Sequence, residues 1–270
     1  MAKVFVIDIA RCNGCHCCQI ACKDEHVAND WTPYAKPQPD TGQFWLKQNE
    51  FVRGTVPKVK SHYLPVLCMH CDNAPCIPAC PVEGALYRRD DGLIIIDPVK
   101  CTGCKNCVDS CPYHVIYFND GLNIAQKCTG CAHLLDSGWK EPRCADACPT
   151  LALKFGEESE FRAQIKQAEV LNPEYKAKPR VYYLNIPKKF VAGTLYDPVK
   201  KEVIIGATCT LTEAGSKKQH AVTTDGFGDF WFEGLKEGKF SLKIEKGKKT
   251  KTIEPISTEK DVNLGDIPLT

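Results

Sequence analysis

Four runs of four cysteines constrain this chain more than any other feature. The first is Cys12, Cys15, Cys18 and Cys22, spaced C-x2-C-x2-C-x3-C. The second, Cys68, Cys71, Cys76 and Cys80, is spaced C-x2-C-x4-C-x3-C and precedes Pro81. The third, Cys101, Cys104, Cys107 and Cys111, repeats the first spacing and precedes Pro112. The fourth opens as Cys128 and Cys131, takes in twelve more residues, and closes as Cys144 and Cys148 before Pro149. Of the 18 cysteines only Cys17 and Cys209 fall outside these runs, and only Cys209 lies beyond residue 150. The chain therefore has two chemically different parts.

Three thiolates at C-x2-C-x2-C share one tight loop and face one 4Fe-4S cubane, while a fourth cysteine three residues on, before proline, turns to a neighbouring cluster. The runs are thus expected to act in pairs. Tetrahedral zinc is the alternative, because C-x2-C knuckles also mark it, but zinc has no use for a third cysteine at the same step. Between runs two and three, residues 85–97 read as two short strands across an Asp-Asp-Gly turn, which resembles the middle of a two-cluster ferredoxin. On that resemblance Cys68, Cys71 and Cys76 pair with Cys111, and Cys101, Cys104 and Cys107 with Cys80. By elimination Cys12, Cys15 and Cys18 pair with Cys148, and Cys128, Cys131 and Cys144 with Cys22. One ferredoxin-like domain (61–119) is then inserted into another (1–60 and 120–189).

Charge excludes one class of function. With 35 Lys+Arg against 33 Asp+Glu the formal charge is +2, without the concentrated basic excess of a nucleic-acid binder. An oxidised 4Fe-4S core of about 2+ on four thiolates carries about −2, so four clusters would bring the chain to about −6. No stretch approaches the roughly 18 to 20 apolar residues of a membrane span. The N-terminus, Met-Ala-Lys-Val-Phe-Val-Ile-Asp, leads directly to the first cysteine run. The expectation is a reducing, cytoplasmic setting in which thiols stay available to metal.

Other residues near the runs are read as structural. Cys17 is expected to be a small buried thiol, since only Cys18 keeps the two-residue step. Cys209, within Ala-Thr-Cys-Thr-Leu, reads as core packing. His16, His70, His114 and His133 are not needed as ligands once sixteen thiolates complete four sets. For Trp31 and Trp45, in the segment 31–60, two readings stand: an excursion that packs on a partner, or a cover over the clusters.

The pieces Cys-Asn-Gly-Cys-His-Cys-Cys-Gln-Ile-Ala-Cys-Lys-Asp, Cys-Met-His-Cys-Asp-Asn-Ala-Pro-Cys-Ile-Pro-Ala-Cys-Pro and Cys-Ala-Asp-Ala-Cys-Pro-Thr, with Leu153 to Gly156 and Val181 to Leu184, resemble a known family. It is that of the electron-transfer beta subunits of molybdopterin oxidoreductases such as dimethyl sulfoxide, polysulfide and nitrate reductases. The resemblance runs over residues 1–189. Lys23 stands where the ferredoxin signature has proline, as is common in that family; a lost site there would leave three clusters instead of four. The resemblance implies a wire of 4Fe-4S clusters, no catalytic residue on this chain, and a heterodimer. The large partner subunit would carry molybdenum on a bis-molybdopterin guanine dinucleotide cofactor.

From Phe190 the text changes to short alternating strands at 191–195, 206–212, 219–223, 229–232, 239–245, 248–253 and 261–264. About seven strands with turn signals predict a sandwich or barrel over 190–270. The run Thr224 to Phe232 followed by Gly-Leu-Lys-Glu-Gly resembles carboxypeptidase regulatory or transthyretin-like domains, which implies a docking role. The expected fold class is α+β, and the expected function is that of an iron–sulfur redox subunit. A subunit of a reductase exchanging electrons with a quinone or soluble carrier, and a stand-alone polyferredoxin with a binding β domain, are the alternatives.

Overall fold

The computed structural model describes residues 2–216 and 218–270. Along the chain, β1 (Lys3–Asp8) leads to α1 (Cys17–Val27), β2 (Leu46–Thr55), β3 (Lys58–Leu67), α2 (Cys76–Ala79), β4 (Leu86–Arg88), β5 (Ile94–Ile96) and α3 (Asn106–Ser110). Next come β6 (Tyr117–Asn119), β7 (Ile124–Gln126), α4 (Ala132–Asp136), α5 (Arg143–Asp146), β8 (Leu153–Glu157), α6 (Arg162–Ile165) and β9 (Val181–Leu184). The remainder is all strand: β10 (Lys189–Asp197), β11 (Glu202–Val203), β12 (Thr208–Glu213), β13 (Gln219–Thr223), β14 (Asp229–Leu235), β15 (Lys239–Lys246), β16 (Lys249–Ser257) and β17 (Val262–Pro268). Among the described residues no helix is long and apolar enough to cross a membrane.

Two compact units result, Met1–Phe51 with His62–Ile186, and Val52–Ser61 with Pro187–Thr270. The sequence reading kept all of 1–60 with the ferredoxin-like part, whereas the tip of the β2–β3 hairpin falls in the second unit. Charge accounts for the difference. Buried Lys58 pairs with Asp229, Arg53 forks onto Asp261 at 2.7 and 2.9 Å, and Lys60 pairs with Glu233. A buried lysine needs an anion, and the second unit supplies it.

In the first unit β1 runs antiparallel to β8 and parallel to β9, joining the beginning of the unit to its end. Its residues are buried on both faces. Phe5 and Ile7 enter the main core, while Val4 and Val6 pack with Phe161. The strands β4 and β5 pair antiparallel across a turn closed by Arg89 N–H to Leu93 O at 2.8 Å. A second hairpin, β6–β7, matches it on the other side of run three and had drawn no notice in the sequence. The helices pack in two pairs, α1 with α5 and α2 with α3. All but α1 are single turns, too short to persist without tertiary support.

The second unit forms two sheets, one ordered β11-β10-β14 with β17 parallel to β10, the other β13-β12-β15-β16. The period-two pattern of β15 turns Phe240, Leu242 and Ile244 inward and leaves Lys239 and Lys243 exposed. These residues pack with Cys209 and Leu211 of β12, Phe230 and Phe232 of β14, and Ile267 of β17. The two-residue β11 is an addition to the seven spans read from the sequence.

Candidate iron–sulfur centres

Each cysteine run bends its backbone in the same way. Gly14 (φ 76°) and His16 (φ 59°) flank Cys15, Gly103 (φ 73°) and Lys105 (φ 63°) flank Cys104, and Gly130 (φ 65°) precedes Cys131 (φ 49°). In the second run His70, at φ 43°, precedes Cys71. Left-handed residues at these steps gather successive N–H groups into a concavity suited to an anion. At Gly103 a Cβ would also lie 2.5 Å from the Asn123 carbonyl oxygen, so the turn demands glycine twice over. In run one the helix α1 then begins, and Cys18 and Cys22 fall on its buried face one turn apart.

The fold brings thiols of different runs together. Cys18 is pushed up to about 12, by burial first and then by the neighbouring Cys12, Cys148 and Cys15. Burial raises Cys22 and Cys144 well above the usual thiol range, and Cys128 and Cys131 raise both further. Cys71 reaches about 12 by burial and then by Cys68, Cys111 and Cys76. Cys107 reaches about 12 by burial, then Cys101, with Cys76, Cys104 and Cys80 adding to it. Four thiol neighbourhoods can be drawn from these influences, each with members from two runs, and Cys17 borders the first through Cys15 and Cys148.

They also form a row. Cys18 bears on Cys22, Cys68 on Cys128, and Cys76 on Cys107, so each neighbourhood lies within electrostatic reach of the next. Cys15 and Cys104 are exposed, in the first and last neighbourhoods of that sequence. In the middle, Cys22, Cys68, Cys71, Cys76, Cys111, Cys128, Cys131 and Cys144 are all buried.

Whether these residues suit an iron–sulfur core can be tested at the third neighbourhood. Cys68, Cys71, Cys76 and Cys111 together line one small cavity, walled otherwise by apolar groups including Met69, Ile94 and Val115. Among the described residues no three His, Cys, Asp or Glu side chains converge closely enough for a single metal ion. Around one zinc, with Zn–S bonds of about 2.3 Å, thiolates would crowd to within about 4 Å of each other. A four-iron cubane holds its ligands farther apart, in keeping with four thiols that share a cavity without converging on one point. Backbone donors are in place too: Leu153 N–H reaches Cys148 Sγ at 3.5 Å, Ala125 N–H reaches Cys101 Sγ at 3.5 Å, and Gly130 N–H reaches Cys128 Sγ at 3.4 Å. At Cys148 burial works to raise the thiol, but hydrogen bonds from Leu153, Thr150 and Ala152 outweigh it and leave it below the ordinary value.

Cys17 departs from expectation, being exposed. It takes the first position of α1, and the helical step of about 100° that turns Cys18 inward leaves Cys17 outside. His16 and His114 are exposed, and both sit in left-handed turns. His70 is buried, with Nδ1 accepting from Ile94 N–H at 3.0 Å. His133 stacks on Trp31 at 4.2 Å and lies 3.0 Å from Glu25 Oε1.

Trp31 and Trp45 both pack within their own unit, Trp45 on a histidine beside a thiol. Trp45 is 1% exposed and packs at 4.6 Å on His26, whose Nε2 lies 3.8 Å from Cys131 Sγ. Burial, and then His133, bring His26 down to about 3, so it is a neutral neighbour of that thiol. The sequence carried no signal for His26, which lies outside every run. Lys127, 2% exposed, was likewise missed, although it directly precedes Cys128.

Comparison with known proteins adds to this geometry. The 4Fe-4S dicluster domain family matches residues 59–158, and the carboxypeptidase regulatory-like domain family matches residues 191–270. The chain is 39% identical to the pyrogallol hydroxytransferase small subunit of Pelobacter acidigallici, over 98% of both chains. It is 34% identical to a tetrathionate reductase subunit of Salmonella typhimurium, over 69% of this chain and 74% of that one. Against the arsenate respiratory reductase iron-sulfur subunit of a Shewanella species the identity is 32%, over 71% of this chain and 98% of the relative. Convergent thiols, matching domains and similarity along almost the whole length have one explanation: the chain belongs to the family of iron–sulfur subunits of dimethyl sulfoxide reductase-type molybdopterin enzymes.

Proposed function

We propose that this chain carries four 4Fe-4S clusters and docks on a large molybdopterin subunit as the small subunit of a pyrogallol–phloroglucinol transhydroxylase. The ligand sets are Cys12, Cys15, Cys18 and Cys148; Cys22, Cys128, Cys131 and Cys144; Cys68, Cys71, Cys76 and Cys111; and Cys80, Cys101, Cys104 and Cys107. Two ferredoxin-like pairs interleave in this reading, one built on α1 and α5, the other on α2 and α3. The observation that carries it is the cavity where three thiols of run two meet Cys111 of run three.

When bound, 4Fe-4S clusters accept and release single electrons over a wide range of potentials. The chain's own residues do the rest. Cysteines held by left-handed turns present thiolates, backbone N–H groups steady the sulfurs, and the buried middle of the row excludes water. The exposed Cys15 and Cys104 open the row to partners at its two ends.

The transhydroxylase reading rests on coverage. Similarity to the pyrogallol enzyme's small subunit includes the second unit, whereas the two reductase subunits match 69% and 71% of this chain. Substrate would bind molybdenum on a bis-molybdopterin guanine dinucleotide cofactor in the large subunit of a heterodimer, in a reducing, cytoplasmic setting. Moving a hydroxyl between trihydroxybenzenes consumes no net electrons, so the row would adjust the oxidation state of the partner's metal instead of carrying turnover current. Anaerobic isolation of the complex with iron and molybdenum analysis tests this. The expected content is about sixteen iron, from four cubanes, and about one molybdenum per chain. About twelve iron would remove one site, and an iron-replete complex without molybdenum or tungsten would overturn the molybdoenzyme reading.

A further inference from the structure

Lys127 is 2% exposed, yet the partners of its ammonium are two peptide carbonyls, those of Ile94 and Cys128, the second at 3.0 Å. Carbonyl dipoles do not neutralise a buried charge, which ordinarily requires an anion. Other cations of the unit have one: Arg180 holds Asp72 at 2.6 Å, and Arg89 holds Asp136 at 2.7 Å. The next residue in the chain is Cys128, itself buried.

The location is specific. Ile94, whose carbonyl accepts from Lys127, is part of the wall of the cavity lined by Cys68, Cys71, Cys76 and Cys111. Its N–H donates to His70 Nδ1 at 3.0 Å. We propose that the Lys127 ammonium sets the potential of the centre held by Cys68, Cys71, Cys76 and Cys111, raising it by stabilising the reduced form. This rests on the four-cluster reading above. One electron added to that centre takes its net charge from about −2 to about −3 with no proton transferred. A fixed cation in a low-dielectric interior favours the more negative state. Burial alone would disfavour that state and make the middle of the row a barrier between its exposed ends. Lys127 offsets that penalty beside buried thiols of three runs.

The test is an electron paramagnetic resonance redox titration of the anaerobic holo-complex, with dithionite as reductant and iron measured on the same samples. In Lys127→Met the reduced-to-oxidised ratio of one centre should fall about tenfold or more at fixed potential, equivalent to about 59 mV for one electron. That centre should be the one that Cys111→Ser abolishes or displaces, and Lys127→Arg should keep its ratio within about threefold of wild type. A loaded wild type whose steps are all unmoved in Lys127→Met overturns this inference alone. A wild type without clusters overturns the four-cluster reading instead. If Lys127→Met and Lys127→Gln both lose iron while Lys127→Arg keeps it, the lysine is a structural counter-charge and the potential-setting role is wrong.

Discussion

The two units bury cysteine to opposite ends. In the second, Cys209 is fully enclosed between Leu211, Leu242 and Ile244, and desolvation pushes it up to about 12. It stays a thiol and packs like a hydrocarbon. In the first, Cys18 and Cys71 reach the same value, yet nine cysteines crowd one core beside single-turn helices that cannot stand alone. Thiols so crowded and desolvated resist ionisation unless metal takes the proton's place, so metal binding is expected to be coupled to folding here. In one unit side chains simply pack on each other; in the other the packed core also encloses thiols gathered from different runs.

The largest way to break the comparison is to remove iron from the anaerobic complex and follow amide exchange. Protection should collapse across residues 62–186 while β12 and β15 keep theirs. Equal loss in both units would show that the second depends on metal as well. Next in size, Leu242→Ala should destabilise the second unit by about 2–5 kcal/mol, because it opens a void at a fully buried site. Iron content should not change; a fall in iron alongside the melting temperature would join what the comparison separates.

A smaller effect belongs to the hairpin tip. Lys58→Met should destabilise the second unit by about 1–3 kcal/mol, leaving Asp229 half-buried without its cation. Asp229 and Asp261 are held below the ordinary carboxylate range: burial works to raise both, but Lys58 with Thr194, and Arg53 with the Phe190 N–H, outweigh it. Depressed values mean that this stability is present above an unfolded pKa of about 3.9 and is lost as pH falls through the folded ones. Thermal melts below pH 4 should show the loss, and Lys58→Met should flatten it. The smallest effect is alkaline. Because Cys209 is raised from 9.0 to about 12, its contribution is complete below pH 9 and declines as pH rises toward 12. Cys209→Val should remove that slope, and an unchanged slope would assign it to another group.

Much of the site was legible because it is local. Three thiols within seven residues face one centre wherever the loop lies, and the step from Cys101 to Cys104 to Cys107 reads the same in any fold. The alternation of Phe240, Leu242 and Ile244 likewise declares an inner face without reference to what it meets. The hairpin tip was not legible, since Lys58 and Arg53 look like solvated charges until Asp229 and Asp261, more than 150 residues away, arrive beside them. His26 became a neighbour of Cys131 in the same manner, across a separation of 105 residues.

Two lysines mark the boundary. Lys100 precedes Cys101 and Lys127 precedes Cys128 in nearly the same words, Lys-Cys-Thr-Gly-Cys, yet Lys100 is exposed and Lys127 is buried. By itself the sequence determined which thiols share a loop and which strand faces turn inward, because these depend on the geometry of neighbouring residues. Only the tertiary structure decided which lysine is enclosed and which remains in water. Burial depends on the strand that crosses above a residue, here β5 and the Ile94 carbonyl over Lys127, and no local pattern records that crossing.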